Sequence, residues 1–243
     1  MGLGDWILAT GQVRKINEAT GRRVLVVGRG NRPQWSEVFE NNPRIVKAMG
    51  RYTQMLRNGG GIRPYIAAKT SERWTWRAWD ISPGEIFLSD AEKTYAEPYR
   101  GKVLIEPRTK VFGNKDWFPE RWQALVDLGE FDFLQAGSPG IVPLRGVRHI
   151  PTTTFRQAMA ILAVSKAFVG TEGALHHAAA ALKVPAVVLY SEFISPEFTG
   201  YPTQRNIRHA GKACGARLPC AGCRESMEKI SVQEVADNVR AIA

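Results

Sequence analysis

The chain has 243 residues, 44% hydrophobic and 23% charged, with a formal net charge of +10. That balance excludes a disordered chain, and the length suffices for one large domain or two small ones with cores of their own. No run approaches the ~18 continuous apolar residues of a membrane span, and "MGLGDWILATGQ" has no basic start and carries Asp5 inside its apolar stretch, so a soluble cytoplasmic protein without a signal peptide is expected.

Taken in chain order, "WILATGQVRKI" reads as a helix, for which an N-cap is the plainer role of Asp5. "RRVLVVG" (22–28) is a Val-rich strand closed by the turn-rich "GRGNRPQ". "RPYIAA" and "GEIFLS" are weaker strand candidates. In "RWTWRAW", Trp74, Trp76 and Trp79 alternate with Arg73 and Arg77, which suits a strand with one buried face or a platform for a sugar ring or an unstacked base. From residue 102 the pattern sharpens: "KVLIEP", "FDFLQAG", "VRHIP", "KAFVG" and "AVVLYS" are short apolar runs, and "FPERWQALVDLG" and "TFRQAMAILAVS" are helical patterns between them. Such strands alternating with helices predict a parallel sheet covered on both faces. The cluster of Pro, Gly and charge in "AEPYRGK" predicts a division into residues 1–99 and 100–243, with a ligand cleft between two Rossmann-like halves. The last helix starts at Ser231, with Glu234 placed for a capping box.

The stretch "FVGTEGALHHAAAAL" joins a buried strand to a helix through a small-residue turn. Free N–H groups and the helix dipole at such a turn suit an anion. Thr171 adds a hydroxyl, and Glu172 suits sugar hydroxyls or a capping role; a capped helix with a core histidine is the plainer alternative. Cys214, Cys220 and Cys223 fall within ten residues, with no other cysteine in the chain. This argues against a disulfide framework and leaves either a zinc site completed by His209 or a loop of reduced thiols.

"FVGTEGALHHAAAALKVPAVVLY" resembles the signature of glycosyltransferase family nine, the ADP-heptose:lipopolysaccharide heptosyltransferases, in which the turn reads Asp-Thr-Gly where this chain has Glu-Gly-Ala. "EPRTKVFGNKDWFPERWQALV" is similar to that family's Pro-Gly…Lys-x-Trp-Pro segment, and "GLGDWILATGQVRKI" to its N-terminal Gly-Asp loop. Family members usually begin with a strand before that loop, and here Met1 leads directly into it. The resemblance implies a GT-B fold of two facing Rossmann-like domains with parallel sheets, an acceptor side over 1–99 and a nucleotide-sugar side over 100–243. It implies Asp5 as the catalytic base. It implies donor contacts from Arg108, Thr109, Lys115, Thr171, Glu172, Gly173, Ala174 and His177, with His177 buttressing the turn. It further implies inverting transfer with the nucleotide-sugar as substrate and no cofactor or metal. An anionic glycan or glycolipid acceptor is expected from family and charge together. The charge and the Arg/Trp stretch also fit a transferase acting on hydroxylated bases in DNA, and a catalytically silent GT-B-like binding protein is the third alternative.

Overall fold

The computed structural model describes residues 2–58, 63–107, 113–138 and 141–243. Its centre is a six-stranded parallel sheet of β5 (Val103–Glu106), β6 (Phe133–Gly137), β7 (Arg148–Pro151), β8 (Ala167–Thr171), β9 (Ala186–Tyr190) and β10 (Arg205–Arg208), in the order β10-β9-β8-β5-β6-β7. These are the apolar runs of the sequence, with the addition of β10, whose Arg-Asn-Ile-Arg composition gives no strand signal. Both faces are covered, so strand residues alternate between two cores. Leu104, Phe168, Ala186 and Val188 face one core, with α4 (Phe155–Val164) and α5 (Ala174–Leu182). Val103, Ile105, Val169 and Val187 face the other, with α3 (Pro119–Asp127), α7 (Ala221–Glu228) and α8 (Val232–Arg240). The order reverses between β5 and β8: the chain winds from β5 toward β7 on one side and from β8 toward β10 on the other. At such a switch point the loops leave in opposite directions and open a crevice at the carboxyl ends of the strands. Glu106 and Thr171 end the two strands there.

The N-terminal part is smaller. Helix α1 (Leu3–Thr20) is followed by β1 (Arg23–Val27), paired in parallel with β2 (Thr53–Arg57) in the register Leu25↔Met55. A bulged antiparallel hairpin follows, β3 (Ile66–Lys69) with β4 (Trp74–Trp76). "RPYIAA" and "RWTWRAW" thus contain strands, whereas "GEIFLS" runs as irregular chain from 84 to Ser89, the N-cap of α2 (Asp90–Ala96). Gly84 packs directly against α1, where a Cβ would run into Ile7 O.

The hairpin is bound to the C-terminal part. Trp74 N donates to Gly215 O (2.8 Å), Trp76 Nε1 to Phe193 O (3.0 Å) and Trp79 Nε1 to Phe198 O (2.7 Å). The arginine–tryptophan alternation is therefore largely a clamp, and Tyr65 stacks on Trp76 with 6.1 Å between centroids. A second tie is Arg156 on α4. Its guanidinium bonds both carboxylate oxygens of Glu92 and the carbonyls of Glu37 (3.0 Å) and Phe87 (2.8 Å). One apolar core accordingly runs from Ile7 and Val26 through Phe168 to Tyr201.

Candidate functional site

Helix α1 brings its first turn onto the first turn of α5. Gly4 makes this possible, since a Cβ there would stand 2.7 Å from His177 Cδ2. Asp5 is the third residue of α1, so the plainer alternative, that it is the N-cap, does not hold. Gly2 is the cap, and its N–H reaches Asp5 Oδ2 (3.1 Å). The Asp5 carboxylate is buried. Arg63 Nη2 lies 2.9 Å from Oδ2, the Tyr65 hydroxyl donates to Oδ1 (2.5 Å), and Asn58 Nδ2 donates to the Asp5 carbonyl (3.1 Å). Burial pushes its carboxyl above the usual carboxylate range, with Arg63 and Tyr65 pulling the other way.

Facing it, Glu172 follows β8 and Lys115 lies between β5 and α3. Lys115 Nζ bonds Glu172 Oε2 in an ion pair, and the same ammonium lies 5.1 Å from the Phe193 ring centroid. Burial, the largest single effect, pushes the Glu172 carboxyl up, but the Lys115 charge and hydrogen bond, together with its other polar neighbours, outweigh it and hold the group below its ordinary value. Of the N–H groups at this turn, Glu172 N donates to Leu189 O (3.1 Å) and Gly173 N to His176 Nδ1 (3.0 Å). The open anion cradle read from the sequence is thus largely closed by the protein's own acceptors, and Ala174 opens the helix beyond it. His176 Nδ1 also lies 2.6 Å from Gly173 O, and its Nε2 lies 2.9 Å from Thr199 O, so both ring nitrogens are held by backbone groups of the turn and of the chain after α5. His177 is buried, hydrogen-bonds the Tyr201 hydroxyl through Nδ1 (2.8 Å) and lies 3.8 Å from Glu172 through Nε2. Burial pushes its pKa well down, so it is a neutral buttress. Thr171 is buried with its hydroxyl unpartnered among the described residues. Arg108 and Thr109 lie outside the described residues.

Three residues escaped the sequence reading. Arg63 and Tyr65 sit at the start of a weak strand segment, where nothing local signals that they close on Asp5. Glu106 was legible as an acid ending a buried strand. Its Oε2 is shut from solvent without a partner among the described residues, and burial, aided by the Glu172 charge, pushes its carboxyl up to about 8.

Two side-chain clusters have metal-ligand composition among the described residues: Glu172 with His176 and His177, and Cys214 with Cys220 and Cys223. In the first, Lys115 already neutralises the carboxylate and three of the four ring nitrogens are engaged, which opposes a dication. In the second, the Cys214 sulfur lies 3.4 Å from that of Cys223 and 3.9 Å from that of Cys220. His209, the fourth ligand considered from sequence, bonds Glu234 instead (2.8 Å). The Ser231 hydroxyl caps α8, but Glu234 is drawn to His209 and leaves the capping box half made. A cavity of about 500 Å³ lies beyond the hairpin, between Trp74, Trp76, Phe198, Arg208 and Lys212; Cys214 lines it, whereas Asp5, Lys115 and Glu172 do not. No helix among the described residues is long and apolar enough to cross a membrane.

A doubly wound sheet with a charged switch point, facing a second α/β part across α1 and α5, defines the GT-B-like fold class. Over residues 142–231 the chain matches the model of glycosyltransferase family 9 (heptosyltransferase), so the resemblance carried by the turn at Glu172 is met. The fold agrees. The glycosyl transferase family 9 protein of Veillonella parvula is 14% identical over 100% of this chain and 94% of its own, with a TM-score of 0.66. Heptosyltransferase II of E. coli is 21% identical over 68% of this chain, with a TM-score of 0.52; the match spans 55% of that enzyme's length. The dodecameric, iron-containing heptosyltransferase TibC of enterotoxigenic E. coli, solved with ADP-D-β-D-heptose, is 13% identical over 100% of this chain and 73% of its own, with a TM-score of 0.62. No curated protein sequence matches the chain.

Proposed function

We propose that the protein is a glycosyltransferase that moves a sugar from a nucleotide-sugar donor to a glycan or glycolipid acceptor, with inversion and without a metal. The observation that carries this reading is the opposition of two charged groups: the buried, raised carboxylate of Asp5 on α1 and the Lys115–Glu172 pair at the β5/β8 switch point. Residues 100–243 then hold the donor, and residues 1–99 present the acceptor.

In the reaction the acceptor hydroxyl attacks the anomeric carbon from the Asp5 side. Its proton passes to the Asp5 carboxylate as the new C–O bond forms. The bond to the diphosphate breaks, and its electron pair leaves on the diphosphate oxygen. Lys115 meets that charge. It is the cation already stationed at the switch point, and it exchanges its Glu172 partner for the phosphates. Glu172, released from Lys115, accepts hydrogen bonds from the sugar hydroxyls, since a carboxylate can take two at once. With Asp5 taking the proton and Glu172 engaged by the sugar hydroxyls, the acceptor oxygen itself attacks the anomeric carbon in one displacement, which gives inversion. A donor bound as in TibC, ADP-D-β-D-heptose, is the first to try.

The test is a thermal-shift screen of nucleoside diphosphates and their sugars. A ligand at a hundred times its dissociation constant adds about 2.7 kcal/mol, or on the order of 5–10 °C in a domain of this size. A shift with one diphosphate that exceeds the shift with its nucleoside supports the reading, and no shift with any of them contradicts it.

A further inference from the structure

We propose that Arg63 and Tyr65 are positioning residues that present one oxygen of Asp5, Oδ1, as the proton acceptor; this inference rests on the transferase reading above. A carboxylate has about four lone-pair sites, two on each oxygen. Oδ2 takes two donors, Arg63 Nη2 at 2.9 Å and Gly2 N at 3.1 Å, and is filled. Oδ1 takes one among the described residues, the Tyr65 hydroxyl at 2.5 Å, and keeps a site for the acceptor hydroxyl. In the transfer that hydroxyl loses its proton to Oδ1, its oxygen bonds the anomeric carbon, and the diphosphate leaves with the electron pair of the broken C–O bond.

The arrangement fixes the carboxylate of Asp5 with the precision a base needs. Asp5 is held by a segment rooted at its far end: Tyr65 stacks on Trp76, whose indole donates to Phe193 O, and Arg63 lies 5.4 Å from the Trp74 ring centroid. The base is thus anchored through the hairpin to the donor side. The charged and titratable groups that face Asp5 are Arg63 and Tyr65 before β3, Glu172 with its partner Lys115 at the switch point, and His177 on α5 behind Gly4. His177 is neutral, and Glu172 raises the Asp5 carboxyl while Arg63 and Tyr65 lower it.

The test compares Tyr65→Phe, Arg63→Met and Arg63→Lys with the wild type in two measurements. The first is the ¹³C carboxyl titration of Asp5, assigned by its loss in Asp5→Asn, which needs no substrate. The second is the pH profile of ADP release from ADP-D-β-D-heptose with water as acceptor. Tyr65→Phe removes one oxygen and leaves the stacked ring. Loss of a hydrogen bond to the charged form moves the Asp5 midpoint upward, carries the acidic limb of kcat up with it and lowers kcat on the order of tenfold near neutral pH. KM for the donor changes less than about twofold, because the donor contacts are untouched. Arg63→Met moves the midpoint further and Arg63→Lys restores part of it, a recovery that a purely structural role would not give. An unaltered Asp5 midpoint and pH profile in Tyr65→Phe, beside an inactive Asp5→Asn, overturns this inference alone. An Asp5→Asn variant with full turnover overturns the transferase reading of Asp5 instead.

Discussion

Replacing Lys115 by Met and Glu172 by Gln, singly and together, isolates the pair at the centre of the site. The side chains are 18% and 8% exposed, so each charge is mostly removed from water and depends on the other. Breaking a fully buried pair costs about 3–5 kcal/mol, because the remaining charge is stranded. Lys115 retains some access to solvent, which lowers the figure. Lys115→Met is expected to cost about 2–4 kcal/mol, since it leaves Glu172 among the acids Asp5 and Glu106, both of which its charge already pushes up. Glu172→Gln is expected to cost less, about 1–2 kcal/mol, because the amide oxygen still accepts from the ammonium. The double variant carries no stranded charge and is expected to cost about 1 kcal/mol, giving a coupling of about 2–5 kcal/mol. Urea denaturation at pH 7 reads all three, and Lys115→Met lowers Tm on the order of 5–10 °C. Singles that add within about 0.5 kcal/mol would refute the pairing as an energetic unit and leave it a surface contact.

Glu106 makes stability fall with rising pH. Its folded-state pKa of about 8 lies above the ordinary value of 4.5, so the folded protein holds a proton that the unfolded chain releases. Stability is therefore lost as pH rises from about 4.5 to about 8, by at most about 5 kcal/mol, and Glu106→Gln removes that slope; a pH-independent difference between the two proteins in urea titrations at pH 5–8 contradicts it. Gly4→Ala drives a Cβ to within 2.7 Å of His177 Cδ2, separates α1 from α5 and costs about 1–3 kcal/mol by thermal denaturation, with a loss of turnover as Asp5 moves off the donor side. Arg156→Met strands Glu92, whose carboxyl Arg156 holds down to about 2, and is expected to lower stability by about 2–4 kcal/mol at pH 7, with the loss shrinking as pH falls toward 2; an equal loss at pH 3 and pH 7 would show that packing and not charge is involved.

The parallel sheet was legible because its strands are buried on both faces and therefore read as unbroken apolar runs. The turn at Glu172 was legible because strand, small residues and helix follow one another in the chain. The other half of the site was not. Asp5 could be found, but its environment depends on Asn58, Arg63 and Tyr65, more than fifty residues away and brought in by a hairpin of weak strand character. The Lys115–Glu172 pair spans 57 positions, and no local pattern links them. "RWTWRAW" shows the reverse difficulty: its alternation suits a ligand platform and a buried strand equally, and only the indole bonds to Phe193 and Phe198 decide between them. β2 and β10 escaped because each pairs along one edge only and carries polar residues.

The most direct measurement of the central claim is release of nucleoside diphosphate from a panel of ADP-, GDP- and UDP-sugars, followed by mass spectrometry for the wild type, Asp5→Asn and Lys115→Met. The wild type is expected to release diphosphate from one donor class. Asp5→Asn is expected to be slower by about a hundredfold or more while still binding the free diphosphate, because only proton acceptance is lost. Lys115→Met is expected to lose affinity for the diphosphate and not for the nucleoside. Release from none of the sugars, or release by Asp5→Asn at the wild-type rate, would contradict the account.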